Sequence, residues 1–396
     1  MSHSSIVLGI SGGIAAYKMP ALIRLLQKNG ASVKTVCTPA ARSLVGLQTL
    51  RTLTGFPVYE DDAQANSDME HIALAQWGDY LLVCPATANT IAKIAHGIAD
   101  NLLTSLALTF EHRLIIAPAM NTAMWNNRAT QDNIATLIER GVHLLPVDNG
   151  QLACGDSGPG RLLPIETIAE FMLSLSTRKY LVGKKVLIAS GPTCEHIDDV
   201  RVITNLSSGK MGAALAHAAW LAGAQVTVVS GPASEPLPIG VTVERVTTAQ
   251  EMQNALVEKF PETDVCIMAA AISDFRPQSP VIGKMHRSES VSLSLDLIAN
   301  PDIAQILGTM KTRQVLVGFS LEADENDDTR ALDKMHTKNC DMMIVNSAKS
   351  SLSRDTTMIH ILYPDKPAEY CPMESKTDAG KRIIERCAAC MGIVHE

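Results

Sequence analysis

The sequence predicts an α/β protein made of two doubly wound, mostly parallel sheets in series. Three observations carry this reading. The chain has 396 residues, too many for one ordinary core. Short apolar runs alternate with helical patterns, which implies right-handed crossovers and parallel strands. The pattern restarts after "LSTRKYLVGKK", which sets a boundary near residues 176 to 184 and domains over 1–180 and 184–396. With 46% apolar but only 4% aromatic residues, the core falls to Ala, Val, Ile and Leu, as in helix-covered parallel sheets.

The strands expected in the first half are "SIVLGI", "SVKTVC", "YLLVCPA", "RLIIAPA" and "GVHLLPV". Between the first two, Leu22, Leu25 and Leu26 fall at helical spacing and Gly30 closes the helix. At the strand ends stand "SGG", "TPAA", "PATAN" and "PAMN", on the edge where open α/β sheets bind ligands. The second half opens with "VLIAS" and Gly191-Pro192-Thr193, then continues through "AQVTVVSG", "DVCIMAAA", "QVLVGFS" and "DMMIVNS". "MIHILYP" reads as an edge strand. The halves are not obvious repeats of one another, but both are Rossmann-like in plan.

Composition excludes several classes. A net charge of −7 without a basic run argues against nucleic acid. No apolar stretch is long enough to span a membrane, and "SSIVLGI" lacks the basic flank of a signal peptide. Nine cysteines without framework spacing suit a reducing cytoplasm. Cys387 and Cys390 form a close pair, but a zinc site would want a second, so both read as ordinary helix residues.

Two stretches suggest phosphate binding. "GISGGIAAYK" is a glycine-rich strand-to-helix turn that departs from G-x-G-x-x-G, and no acidic residue plainly ends the second strand. A mononucleotide phosphate fits it better than a dinucleotide. "NLSSGKMG", residues 205 to 212, resembles a P-loop, yet Thr204 replaces its first glycine and Met211 follows Lys210. Taken singly, His71, Asn121 and Cys154 each have a structural reading: a helix-start histidine, an N-cap and a loop cysteine. For Ser207 and Ser208, capping of the next helix competes evenly with ligand binding. Lys334 and Lys338, four residues apart, read in isolation as a solvated basic helix face.

The motifs taken together are more specific. "GGIAAYK", "HI" at 71 and 72, "PATAN", "PAMN" and "ACGDSGPGR" resemble the flavin-dependent cysteine decarboxylases. "SGPTCEHIDDVRVITNLSSGKMG", "AAAISDFRP", "NPDI", "VGFSLE" and "NSAK" resemble a ligase domain. In this order they resemble the bacterial bifunctional coenzyme A biosynthesis family, phosphopantothenoylcysteine decarboxylase joined to phosphopantothenate–cysteine ligase. The resemblance covers essentially the whole chain.

It implies FMN in the first half, with contacts from Ser11, Gly12, Gly13, Thr38, Thr87 and Asn89. His71 would do acid–base and orienting work beside the flavin. Asn121 would bind the substrate carboxylate, and Cys154 would return the final proton. The chemistry needs an electron sink, because direct loss of carbon dioxide from a cysteine leaves an unstabilised carbanion. A two-electron oxidation to a thioaldehyde supplies that sink.

In the second half the resemblance implies CTP with Mg²⁺, whose own ligands stay unknown. Ser207, Ser208, Gly209 and Gly212 would cradle the triphosphate without a Walker lysine. Met268, Ala269, Ala270, Asp274, Lys284, Pro301, Asp302, Ile303, Ala304, Phe319, Lys334 and Lys338 match nucleotide-site positions. Asn205 would hold an acyl-cytidylate, with Ala271 near the substrate. Arg201 would bind 4′-phosphopantothenate across a dimer interface. Family members often carry K-I-K at Lys284, whereas here Met285, His286 and Arg287 follow it. Trimer-based decarboxylase shells and dimeric ligase halves are implied as well. A flavin-binding regulatory subunit and a decarboxylase of peptide C-terminal cysteines are the alternatives.

Overall fold

In a computed structural model of the chain, two sheets share one strand order. It describes residues 4–61, 69–151, 157–284, 294–322, 328–347 and 354–393. The chain divides into two compact units, 1–176 and 177–396.

In the first unit β1 (Ser5–Ile10), β2 (Ser32–Cys37), β3 (Val58–Glu60), β4 (Tyr80–Ala86), β5 (Arg113–Pro118) and β6 (His143–Leu144) form a parallel sheet. Its order is β3-β2-β1-β4-β5-β6. The helices are α1 (Met19–Lys28), α2 (Leu47–Thr54), α3 (Glu70–Trp77), α4 (Ala88–His96), α5 (Leu102–Thr109), α6 (Thr122–Asn126), α7 (Arg128–Glu139) and α8 (Ile165–Ser176). Helix α1 buries Leu22, Ile23 and Leu26 while Leu25 sits at the margin, and Gly30 closes the turn at a φ of 90°. An antiparallel pair follows, β7 (Asp148–Gln151) with β8 (Ser157–Arg161). Of "GVHLLPV", residues 141–147, only His143–Leu144 pairs in the sheet, and β7 begins just after it.

In the second unit β9 (Lys185–Ser190) leads into two short strands, β10 (Cys194–His196) and β11 (Val202–Thr204), which form a hairpin. Next come α9 (Lys210–Leu221), β12 (Gln225–Ser230), β13 (Thr242–Arg245), α10 (Ala249–Lys259) and β14 (Val265–Met268). β15 (Phe275–Pro277) pairs with β16 (Leu297–Ala299), before α11 (Ile303–Met310), β17 (Val315–Glu322), α12 (Thr329–Thr337) and β18 (Met342–Ser347). β19 (Thr356–Thr357), β20 (Ile359–Leu362), β21 (Glu369–Tyr370), β22 (Glu374–Ser375) and a C-terminal helix, Lys376–Cys390, complete it. The sheet order is β13-β12-β9-β14-β17-β18-β20-β21. "MIHILYP" is not an edge strand: β20 lies between β18 and β21, antiparallel to both. Its residues are all buried: the C-terminal helix, through Ile383 and Ile384, packs on the same core as Ile359 and Ile361, and Leu362 joins the core on the other face.

Helix α9 packs tightly on β9. A Cβ added to Gly212 would lie 2.5 Å from Ser190 Cβ, so only glycine lets helix and strand approach this closely. Gly212→Ala is therefore predicted to destabilise the second unit by about 2 kcal/mol, the usual scale of overpacking. Calorimetry on the full chain checks this, and Ser190→Gly in the same chain should restore most of the loss.

Candidate functional sites

Each sheet grows in opposite directions from its first strand. The crevice between the first and fourth strands is where such folds bind ligands. In the first unit that crevice is closed by Ser11. Its buried Oγ donates to Pro85 O at 2.6 Å and accepts from Thr87 N at 2.9 Å, joining the loops after β1 and β4. Thr87 then N-caps α4, accepting from Thr90 N at 3.3 Å. Asn121 N-caps α6, accepting from Met124 N at 2.7 Å. Gly12, Gly13, Thr87 and Asn121 line one cavity of about 710 Å³. Thr38 ends β2, two residues before Ala40, which packs against Gly12. Its Oγ1 is buried without a partner, as is that of Thr122.

The remaining predicted positions divide. Asn89 is exposed and does not line the cavity. His71 is the second residue of α3, half-buried and outside the lining. Cys154 lies outside the described residues; Gln151 at the end of β7 and Gly160 and Arg161 at the far end of β8 line the cavity. Sequence reasoning missed Lys18 and Arg161, which add two positive charges to that wall. Lys18 stood inside a quoted motif, whereas nothing marked Arg161 beyond its place at the end of "GDSGPGR".

In the second unit the crevice lies between β9 and β14. Pro192 bridges to Ala271, and Ser273 N donates to Thr193 Oγ1 at 3.0 Å. Asn205 is drawn into this junction, its Nδ2 donating to Ala271 O at 3.2 Å and Ile272 O at 3.1 Å. With Ser207, Ser208, Thr204 and Cys194 it lines a cavity of about 350 Å³. Ser273 Oγ is buried without a partner. Asn300, a position missed apart from its place in "NPDI", ties the next loops together: its N donates to Asp274 O and its Nδ2 to Ser273 O, both at 2.8 Å. Asp302 N-caps α11.

Neither serine takes the N-cap position of α9, although Ser208 Oγ accepts a long bond from Lys210 N at 3.5 Å. The N-cap is Gly209, left-handed at a φ of 79°, with no side-chain cap. Lys210 Nζ pairs with Asp355 at 2.6 Å. The two lysines near 334 are also not a solvated basic face. Lys334 Nζ donates to Ser320 Oγ and Glu322 Oε1, both at 2.8 Å, while Lys338 lies just past α12 and pairs with Asp302 at 3.0 Å. Phe319 packs with the core on the other side of β17 from Ser320 and Glu322. Burial pushes the Glu322 carboxyl up, but the hydrogen bonds and charge of Lys334 outweigh it and hold the group below its usual value.

Comparison with known proteins places this geometry. Residues 1–177 match the Flavoprotein family, and residues 181–391 match the DNA/pantothenate metabolism flavoprotein C-terminal domain. Over 351 residues the chain is 43% identical to the coenzyme A biosynthesis bifunctional protein CoaBC of Vibrio cholerae, spanning 87% of this chain and 88% of that one. It is 38% identical to its Bacillus subtilis counterpart, spanning 98% of each. The chain belongs to the CoaBC family. As a CoaBC protein it is a bifunctional enzyme of coenzyme A biosynthesis that decarboxylates and ligates, and its first unit is a flavoprotein domain. Among solved structures it is similar to a CoaBC C-terminal domain (TM-score 0.47, 33% identical, 54% of this chain and 98% of that one). It is also similar to the FMN-dependent cysteine decarboxylase SpaF (TM-score 0.38, 33% identical, 43% of this chain and 95% of that one).

In this CoaBC chain, Lys334→Met leaves Glu322 buried without its cation and should destabilise the second unit by about 1–3 kcal/mol at neutral pH. Because the folded carboxyl titrates below its unfolded value of 4.5, its contribution is present above that pH and is lost as pH falls through the lowered value. The stability gap between parent and variant should therefore shrink below pH 4.5, read by urea melts across pH.

Proposed function

We propose that this chain makes 4′-phosphopantetheine in two steps. Residues 184–396 condense 4′-phosphopantothenate with cysteine at the expense of CTP. Residues 1–180 then decarboxylate the 4′-phosphopantothenoylcysteine with FMN. The observation that carries this reading is that Asn205, Ser207 and Ser208 share one cavity at the second switch point, while Gly12, Gly13, Thr87 and Asn121 share another at the first.

In the ligase unit, the backbone from Ser207 to Gly209 and the start of α9 at Gly212 would receive the triphosphate. Met268, Ala269 and Ala270, the turn from Pro301 to Ala304, and Phe319 would form the base pocket. Lys284, Lys334 and Lys338 would meet the phosphates, and Asp274 would lie near nucleotide and substrate. Among the described residues no three His, Cys, Asp or Glu side chains converge as a metal site. Mg²⁺ is therefore treated as travelling with the nucleotide. The 4′-phosphopantothenate carboxylate, held by Arg201 and Ala271, attacks the α-phosphorus and displaces pyrophosphate. The cysteine amine next attacks the acyl carbon, CMP leaves with the carboxylate oxygen, and the amine loses its proton. Asn205 Nδ2 is committed to the carbonyls of Ala271 and Ile272, so its Oδ1 would accept from a hydroxyl or amide N–H of the pantothenoyl part of the acyl-cytidylate. Exposed apolar side chains at Val200, Val202, Leu206, Phe275 and Ile282 support a dimer face beside Arg201.

In the decarboxylase unit, the unpartnered Thr38 hydroxyl and the Ser11–Gly13 turn fit a flavin mononucleotide, with Thr87 and Asn89 at the next strand end. When bound, FMN supplies reversible two-electron oxidation of the thiol-bearing carbon. Asn121 orients the substrate carboxylate, His71 does acid–base work, and Cys154 delivers a proton to the carbon that lost carbon dioxide. Exposed Ile14, Tyr17 and Met124, each among the lining residues, support assembly of this unit around its cavity. A cytoplasmic setting fits a chain whose eight described cysteines are all free.

The test is one assay. With 4′-phosphopantothenate, cysteine, Mg²⁺ and either CTP or ATP, pyrophosphate and carbon dioxide are followed separately. Both should appear with CTP, and Cys154→Ser should stop carbon dioxide while leaving pyrophosphate release intact. A yellow protein that releases neither would instead support a flavin-binding regulatory role.

A further inference from the structure

We propose that Asp198 and Asp199, at the tip of the β10–β11 hairpin, are positioning residues that hold Arg201 and Lys284 as one unit. The inference rests on the ligase reading of Arg201 and Lys284 and adds the device that sets the spacing between them.

The Asp198 side chain is 0% exposed, and its own turn engages both of its oxygens. Oδ1 accepts from Val200 N at 2.8 Å and Arg201 N at 2.6 Å, and Oδ2 accepts from Arg201 Nη1 at 2.5 Å. A buried carboxylate persists only when its oxygens are satisfied in this way. The arginine, whose side chain is 48% exposed, is thereby oriented from its inner side.

Asp199 faces the other way and grips the chain just before Lys284. Its Oδ2 accepts from Gly283 N at 3.0 Å, and its own N donates to Gly283 O at 3.3 Å. A third bond runs from Val281 N to Ile197 O at 2.9 Å. Hydrophobic burial does not anchor this segment, because Val281 is 43% exposed and Ile282 96% exposed. The hydrogen bonds to the hairpin fix it instead, and Gly283, at a φ of 86°, turns the chain there into Lys284.

The coupling matters because acyl-cytidylate formation needs the carboxylate and the α-phosphorus in line. Carried by one hairpin to the dimer face, Arg201 and Lys284 would reach the same site across it, Arg201 holding one reactant and Lys284 meeting the other, so their separation sets the reactive geometry. Loosening the Asp199 link should slow the chemical step more than it weakens nucleotide binding.

The experiment compares Asp199→Ala, Asp199→Asn, Asp198→Asn and Lys284→Gln in the full chain, following pyrophosphate release while 4′-phosphopantothenate and CTP are varied. Asp199→Ala should lower kcat about tenfold, the scale of one lost charge-assisted hydrogen bond. The KM for CTP and the melting temperature should stay near the parent's. Asp199→Asn keeps an acceptor oxygen and should recover most of the rate. Asp198→Asn should raise the KM for 4′-phosphopantothenate about fivefold, because the arginine loses its charged partner. The inference is overturned if Lys284→Gln stops pyrophosphate release while Asp199→Ala runs at the parental rate, or if the Asn and Ala variants at 199 lose equally. If Lys284→Gln itself runs at the parental rate, the ligase reading of that lysine falls and the inference falls with it.

Discussion

Both sheets grow outward in two directions from their first strand, and the reversal has to be held together where the strand ends part. In the first unit a single hydroxyl does this: Ser11 Oγ joins the loops after β1 and β4 by donating to Pro85 O and accepting from Thr87 N. In the second unit the junction is mostly backbone, with Pro192 bridged to Ala271 and Ser273 N bonded to Thr193 Oγ1. Two of the residues assigned to chemistry sit at these junctions. Asn205 is oriented by the carbonyls of the second one, and the cavity of the first opens beside Thr87. One topological constraint thus provides two crevices, and different loops fill them.

Unsatisfied polar atoms mark the same places. Buried hydroxyls usually find partners, and leaving one unpaired costs roughly 1–3 kcal/mol. Thr38 and Thr122 lie at the ends of β2 and the start of α6 in the first unit, and Ser273 lies in the loop after β14 in the second. Thr35 Oγ1 inside β2 and Glu70 Oε2 at the start of α3 are also buried without a partner, whereas other ionic groups are paired. Glu322 meets Lys334 and Ser320, and Glu369 meets Arg386.

The central strands were legible because parallel strands buried on both faces read as unbroken apolar runs, as "SIVLGI" and "VLIAS" do. The outer strands were not. Val58–Glu60 and Thr242–Arg245 close the sheets with short, partly polar segments that carry no such run. "MIHILYP" reads as an edge because nothing local announces β21, Glu369–Tyr370, which pairs along its outer side. Candidate site residues at strand ends were visible through their glycines and asparagines. Their partners were hidden, since pairing joins distant segments: Lys210 meets Asp355, 145 residues on, and Gly283 meets Asp199, 84 residues back. Spacing along one helix suggested that Lys334 and Lys338 act alike, yet their actual partners lie on β17 and at the start of α11.

The central claim is that each crevice carries one reaction and that the two are chemically separable. The most direct test compares Asn121→Ala with Asn205→Ala in the full chain. Pyrophosphate release is followed from 4′-phosphopantothenate, cysteine and CTP, and carbon dioxide from 4′-phosphopantothenoylcysteine supplied directly. The account predicts that Asn121→Ala loses only carbon dioxide release and Asn205→Ala loses only pyrophosphate release. Loss of both signals from either single substitution would contradict it.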